Sequence, residues 1–573
     1  MRNAEIADAF AELADRLALT DEKPFRYMAY RRAETLFREM GESVATLSAE
    51  GRLREVEGVG PAIDEKVSAL IATGTFPALE RARGDVPDTL LRLTRLSGVG
   101  PSTAHKVYAA TGEASFESLL EQAASGSLQV GNGVTKKVVE ALAAEAARRA
   151  AGGAEDGKPG DQSGVPLDED GCPLPGPWLR RDQAEVLLEA IASIVSEVHG
   201  SVEPTGAFRR GAELMREVEA LVDAGDADPD EAGRQITELL IARGWEEAGR
   251  DDFSLLELVS PAGIPARVHV ASSAQLELAR HVAAGPSEWL VHEPEPRADG
   301  VPVELRDAVL VGRLSIDEAP RDLVEITDFR GDLHAHSTWS DGRAAIIEMA
   351  RAARDRGDAY LAMTDHSAPY AMVGGLDPAR IKEQAEEIRH VNEQLEADAA
   401  EGAPRFRVLR GSEVEILADG SLGLDDETLR SLDWVVASIH TQQRQDATAI
   451  LERMRRVLDN PLVDAIGHPT SRRLLRRERT ALDVDVLIEL AVAHGVALEI
   501  NANPDRLDLD SAQAAAALAA GARLTVNTDA HRTTTLRLRE HGVAVARRAG
   551  ARAVDIVNCL ELDALLASRR RTA

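Results

Sequence analysis

The chain is poor in cysteine, in positive charge and in long apolar runs. Its 573 residues include two cysteines, Cys172 and Cys559, too few for a disulfide framework, so a reducing, cytoplasmic setting is expected. No run approaches the roughly 18 consecutive apolar residues of a membrane span. The opening stretch MRNAEIADAFAELADRL carries acids throughout, so neither a signal peptide nor a membrane partner is expected. Lys and Arg number 66 against 97 Asp and Glu, a net charge of -31. A generic nucleic-acid coat protein is thereby disfavoured, because phosphate contacts need local positive charge. The deficit is uneven: residues 1–150 hold 19 Lys and Arg against 22 Asp and Glu. The near-neutral N-terminal part can still meet phosphates, while the acidic remainder suits solubility or the collection of cations.

Charged residues make up 28% and hydrophobic residues 44%, which is a globular rather than a disordered composition. The length predicts three or four domains. In NAEIADAFAELADRLAL, Ile6, Phe10, Leu13 and Leu17 recur about one turn apart, which predicts a helix. Two similar segments follow, EVEGVGPAIDEKVSALIATG (55–74) and RLSGVGPSTAHKVYAATG (95–112), with a looser third copy at 130–145. Each of the first two places G-V-G-P before a helical pattern and a lysine at one offset, Lys66 and Lys106. Residues 149–177 are rich in Gly, Pro and Asp without apolar period and read as a linker. Residues 178–326 mix helices and strands. From Gly331 onward short aliphatic strands alternate with helices.

A glycine turn between short helices turns backbone N–H groups outward, a seat for a phosphate, and a side chain there would block the approach. The paired G-V-G-P segments resemble helix-hairpin-helix motifs, which hold DNA backbones without reading sequence. Gly58, Gly60, Lys66, Gly98, Gly100 and Lys106 are the expected DNA contacts. Lys66 also stands where a lysine of the lyase domain of DNA polymerase beta forms a Schiff base. Its plainer reading is a phosphate-contacting or solvated lysine.

Six of the histidines after residue 331 fall at the ends of aliphatic strands: His334 and His336 in GDLHAHSTWSDG, His366 in LAMTDHS, His440 in WVVASIHT, His468 in DAIGHP and His531 in LTVNTDAH. Asp341, Glu413 and Asp529 accompany them. A seventh strand, VALEINANP, shows no obvious ligand. His105, His199, His390, His494 and His541 fall in helical or loop text and read as surface or packing residues. Asp365 is expected to orient a ligand or a strand end. Arg472, in HPTSR, is read as a phosphate contact or a solvated arginine. Polar residues at the C-terminal ends of alternating strands mark the active face of a (β/α) barrel. Imidazole with carboxylate suits zinc, manganese or iron, and nine ligands are too many for one ion. Two or three divalent ions are expected, with magnesium as an alternative, and phosphoester hydrolysis is the matching reaction class.

This set resembles the PHP domain, a distorted (β/α)7 barrel with a trinuclear metal site. The resemblance implies His334, His336, Asp341, His366, Glu413, His440, His468, Asp529 and His531 as metal ligands. Of these, all but Asp341 and His366 also form the catalytic set. With the N-terminal motifs, the whole chain resembles the bacterial family X DNA polymerases. The implied fold is multidomain α and α/β: an all-α helix-hairpin-helix region (1–148), a central α/β nucleotidyltransferase palm-like domain (178–326) and the PHP barrel (329–573). The implied partner is DNA with gaps, nicks or 3' ends, and a monomer is expected.

The family's palm site begins G-S-x-R-R-G and continues G-D-x-D. Here GAFRRG (206–211) has Ala207 in place of the serine but keeps Arg209 and Arg210, the vestige of a nucleotide site. Glu217 and Glu219 replace the aspartates, and Arg267 stands where a third aspartate is due. The glycine-rich nucleotide segment is reduced to AAGPSEW (283–289). Magnesium demands tight octahedral geometry, so polymerase chemistry is expected to be lost and a 3'–5' exonuclease, acting on 3' ends or abasic sites in repair, to remain. The alternatives are an active gap-filling polymerase, a DNA-end scaffold and a small-molecule phosphatase.

Overall fold

A computed structural model describes residues 1–20, 24–40, 42–56, 58–94, 96, 99, 101–112, 115–131, 134–150, 178–252, 254–368, 373–399 and 405–569. Gly98, Gly100, Cys172 and the expected linker from 151 to 177 lie outside them. The chain divides into two compact units.

The first unit holds the N-terminal helices and a five-stranded sheet. Helix Asn3–Leu19 buries Ile6, Phe10 and Leu13 completely, the face that its sequence period predicts. These residues share a core with Phe37, Val67, Leu70 and Phe76. A second helical core gathers Leu90, Leu93, Val107, Leu119, Val138 and Leu142. At the first G-V-G-P, Gly58 takes φ +93, a left-handed conformation that glycine adopts without strain. Helix Pro61–Thr73 then starts with Gly60 as its cap and proline in the first turn, where a missing N–H costs nothing.

In the sheet the strands lie in the order Val202–Pro204, Val218–Asp223, Pro265–Ala271, Leu255–Val259 and Glu246–Asp252. Val218–Asp223 runs parallel to Pro265–Ala271, and the other pairings are antiparallel. Arg267 is the register partner of Glu219.

The second unit is built on seven parallel strands: Gly331–Ala335, Tyr360–Met363, Arg407–Glu415, Trp434–Ser438, Ala465–Ile466, Ala497–Asn501 and Leu524–Asn527. They lie side by side in chain order. The seventh returns to the first: Ala335 bridges Ala530, and the His336 N–H donates to the Ala530 carbonyl at 2.8 Å. The result is a nearly closed barrel of mixed α/β architecture, as the strand and helix alternation predicts. Six of the strands are buried along their whole length, and the third is buried at its C-terminal end. Parallel strands covered on both faces behave this way. Aspartates start the covering helices: Asp377, Asp425, Asp446, Asp483 and Asp510 each accept a first-turn N–H, which satisfies a donor the helix leaves open.

The same unit contains residues 205–215 and 280–328. The loop 205–215 lies against the barrel's last long helix, Arg539–Arg548, where the Arg548 guanidinium donates to the Arg210 carbonyl at 3.0 Å. Arg472 corrects both readings of it, phosphate contact and solvated cation. It is buried and donates to Glu213 at 2.6 Å and to the Arg506 carbonyl at 2.9 Å. A guanidinium with five donors can satisfy several acceptors at once, and this one is occupied by the chain itself.

Gly211 adopts φ +78, and a Cβ there would stand 2.7 Å from the Ala544 carbonyl oxygen. Gly211→Ala therefore strains the backbone and pushes the loop from the helix. The expected cost is about 1–3 kcal/mol, read as a lowered thermal midpoint by circular dichroism. A shift within the roughly 0.5 kcal/mol typical of surface changes would show that the loop is not docked.

Candidate metal centre

The ligand-type side chains converge because each follows, or ends, a barrel strand. Residues i and i+2 of a strand share a face, so His334 and His336 emerge together from the first strand. Glu413 lies near the end of the third. His440 and His468 follow the fourth and fifth by two residues, and Asp529 and His531 follow the seventh.

Glu413 is the hub. One oxygen accepts from His468 Nε2 at 2.8 Å and lies 3.2 Å from His440 Nε2. The other lies 3.0 Å from His366 Nδ1, 3.3 Å from His334 Nε2 and 3.6 Å from His336 Nε2. Asp529 Oδ1 is 3.0 Å from His336 Nε2. Asp341 Oδ1 is 3.2 Å from His531 Nε2 and 3.7 Å from His366 Nε2. Three groups have ligand atoms within 4.8 Å of one another: His336, Asp341, His366 and His531; His334, His336 and Asp529; His366, Glu413 and His440. All nine expected residues thus meet in one place, His468 through its bond to Glu413.

The cluster fits divalent cations. His334 Nε2, both ring nitrogens of His336, His468 Nδ1 and one Glu413 oxygen are buried and make no hydrogen bond among the described residues. Buried polar atoms are nearly always hydrogen-bonded, so convergent unbonded lone pairs are what a cation site requires. Burial raises the Glu413 carboxyl, but His440, His334 and His366 hold it well below the usual carboxylate range. Burial opposes protonation of His366, yet Glu413 and Asp341 lift it to about 10. Burial, together with Arg506, pushes His468 down to about 4, leaving it a neutral donor. Protonated imidazoles release their protons when a cation takes their place.

Around the cluster stand residues that fix its geometry. Glu499 accepts from His334 Nδ1 at 2.8 Å, from the His468 N–H at 3.0 Å and from Asn527 at 2.9 Å. Glu415 accepts from His440 Nδ1 at 2.8 Å and from the Thr441 N–H at 2.9 Å. Asp365 accepts from the Ser337 N–H and hydroxyl at 2.8 and 2.7 Å, which orients the loop that carries Asp341. Glu499 and Glu415 were not foreseen. Glu499 lies in the strand expected to hold no ligand, and its signal was the carboxylate and amide at alternate positions in LEIN. Glu415 has the same i, i+2 relation to Glu413. The five histidines expected to be surface or packing residues stay apart: His105 and His390 are exposed, His199 and His494 partly buried, and His541 is buried in helix packing.

In the first unit Glu217 and Glu219 each lie beside a nitrogen-bearing side chain of the chain itself. Arg267 Nη1 is 3.1 Å from Glu217, and His269 Nε2 is 3.6 Å from Glu219. Burial raises the Glu217 carboxyl, which Arg267 opposes. Neither glutamate belongs to a group of convergent metal-ligand atoms among the described residues.

Arg209 and Arg210, in the second unit, are engaged too. Arg209 donates to Glu304 at 2.6 Å, and Arg547 donates to the same oxygen at 2.9 Å. Arg210 donates to the Ala284 carbonyl at 2.6 Å and lies 3.4 Å from Asp307, which also accepts from Arg548 at 2.6 Å. Of the expected DNA contacts, Lys66 donates to the Ala62 carbonyl at 2.9 Å with the Tyr30 ring 5.6 Å away, and Lys106 is exposed.

Family models match the N-terminal part: a helix-hairpin-helix domain at residues 1–76 and a SAM-like helix-hairpin-helix tandem at 90–148. The DNA polymerase/3'-5' exonuclease PolX of Bacillus subtilis is 29% identical, with 100% of both chains covered. A probable phosphatase of Vibrio atlanticus is 28% identical over 36% of this chain and 79% of its own. Over its whole length the chain is thus similar to a bacterial family X polymerase, and over its C-terminal part to phosphatases. A solved histidinol phosphate phosphatase of Lactococcus lactis shares 17% identity, at a TM-score of 0.29, over 39% of this chain and 94% of its own.

Among the described residues, no helix is long and apolar enough to cross a membrane. Because Glu499 orients the His334 imidazole and holds the His468 backbone, Glu499→Gln is expected to weaken manganese binding about 10–100-fold, by calorimetric titration of the metal-stripped chain. Glu217→Ala is expected to leave that titration unchanged. Equal losses from the two variants would remove the barrel cluster as the metal centre.

Proposed function

We propose that this chain is a DNA-repair hydrolase, a metal-dependent 3'–5' exonuclease and phosphoesterase acting on DNA 3' ends or abasic sites, whose polymerase chemistry is lost. The carrying observation is the convergence of nine imidazole and carboxylate side chains on buried, unbonded lone pairs at the C-terminal rim of the barrel. His334, His336, Asp341, His366, Glu413, His440, His468, Asp529 and His531 would hold two or three ions of zinc, manganese or iron. Bound there, such ions supply Lewis acidity toward phosphoryl oxygens and a nucleophile at neutral pH. The chain's own part is orientation and charge. Glu413 bridges the imidazoles, Glu499 and Glu415 fix the rings of His334 and His440, and burial keeps bulk water from screening the site.

DNA is the proposed substrate because the helix-hairpin-helix regions stand in the same chain. Gly58, Gly60, Lys66, Gly98, Gly100 and Lys106 are the proposed backbone contacts, and a small phosphate ester has no use for them. The Bacillus relative is named for a 3'-5' exonuclease as well as a polymerase, which supports the polarity. Loss of polymerase chemistry is supported by Arg267, a fixed cation 3.1 Å from Glu217, where two magnesium ions would need carboxylates alone. The ion pairs of Arg209 with Glu304 and of Arg210 with Asp307 support it further, since a triphosphate would have to displace both carboxylates.

The test uses 3'-labelled gapped DNA with manganese. Label release is expected from the native chain and from Glu217→Ala, and a loss of at least about 10³-fold from His334→Ala. With deoxynucleoside triphosphates and either magnesium or manganese, no primer extension is expected. Extension that Glu217→Ala abolishes would establish the gap-filling polymerase instead.

A further inference from the structure

The loop 205–215 keeps three charged side chains, Arg209, Arg210 and Glu213, and directs all three at residues of the barrel's own unit. Glu213 reaches farthest. Its carboxylate accepts from Arg472 Nη2 at 2.6 Å and from the Ser511 N–H at 2.8 Å. Arg472 is fully buried and donates onward to the carbonyls of Arg506 and Leu507. These two residues head a turn that is fixed at its far side by Asp508, which accepts from the Thr470 N–H and hydroxyl. The turn carries Arg506, 7% exposed, whose Nε lies 3.8 Å from Asp529 Oδ2. Arg506 Nε and Nη1 make no hydrogen bond among the described residues.

We infer that Glu213 is a positioning residue for the phosphoester site, acting through Arg472 on the turn that presents Arg506 beside Asp529. The inference rests on the phosphoesterase reading of the barrel. A buried guanidinium needs a carboxylate to offset its lost hydration. Without Glu213 the nearest remaining one is Asp510, at 3.4 Å, on the other side of the guanidinium fork. Arg472 then turns, its hold on the two carbonyls loosens, and Arg506 loses its register against the cluster. The open Arg506 donors are suited to phosphate oxygens, so the loss falls on phosphate binding and turnover rather than on metal uptake.

The experiment is a double-mutant cycle on the full, manganese-loaded chain with Glu213→Ala, Arg506→Ala and their combination. Two readouts are taken: calorimetric binding of inorganic phosphate and hydrolysis of bis(4-nitrophenyl) phosphate. Glu213→Ala is expected to lower phosphate affinity and turnover number about 10–100-fold, with native metal content and a native spectrum. In the Arg506→Ala background the same change is expected to add little. Unchanged phosphate affinity in Glu213→Ala, or a loss that adds in full to that of Arg506→Ala, overturns the inference. Should Glu213→Ala fail to fold, Glu213→Gln, which keeps an oxygen for the Ser511 N–H, carries the same cycle. A native chain that hydrolyses nothing sinks the phosphoesterase reading, while the phosphate titration still decides the role of Glu213.

Discussion

The second unit is organised around one electrostatic constraint: a fully buried carboxylate, Glu413, surrounded by imidazoles. A lone carboxylate in such a place is costly enough that it would take up a proton and become neutral. His440, His334 and His366 reverse that tendency, and they do so because the barrel rim delivers them from different strands to one point. The seven strands must close, and their ends must stay in register, for this balance of charge to exist. A barrel of aliphatic strands alone would fold without it. The requirement that the carboxylates and imidazoles remain mutually satisfied, or be satisfied by a cation, ties the geometry of the rim to its chemistry.

Much of this rim was legible in the sequence because two periodicities coincide. His334 and His336 share a strand face by the two-residue period. Each further ligand follows a run of aliphatic residues that must be a buried parallel strand. The supporting carboxylates were harder to see. Glu499 and Glu415 lie within strands where a carboxylate at alternate positions is also the pattern of a solvated edge. Only closure of the barrel makes those faces interior. Arg472 was misjudged for a related reason. An arginine two positions from a polar loop reads as exposed until its acceptors are known, and those acceptors, Glu213 and the 506–507 carbonyls, are distant in sequence.

The palm-like sheet shows the opposite case, where sequence and register agree at once. Arg267 was singled out because it occupies the place of a carboxylate, and the register sets it directly beside Glu219 on the neighbouring strand. Its guanidinium reaches the preceding carboxylate, Glu217, at 3.1 Å, where opposite charges attract one another. The alternation of carboxylate and aliphatic residues from Glu217 to Asp223 therefore begins with an ion pair. Its strand pattern survives because the aliphatic members, Val218, Ala220 and Val222, still fill the core.

The arginines of GAFRRG are engaged by carboxylates of their own unit. Glu304 accepts from Arg209 and Arg547 and is almost completely buried. Burial raises its carboxyl, and the two guanidinium groups bring it below the usual value. Removing either arginine leaves that charge less compensated, which is far costlier than losing an exposed pair. The same reasoning holds, more weakly, for the more exposed Asp307 between Arg210 and Arg548. Arg209 and Arg210 are thus held in place by carboxylates of the unit they belong to. Their role there is packing and charge balance beside the barrel, and Glu213 continues the same loop by accepting from the buried Arg472.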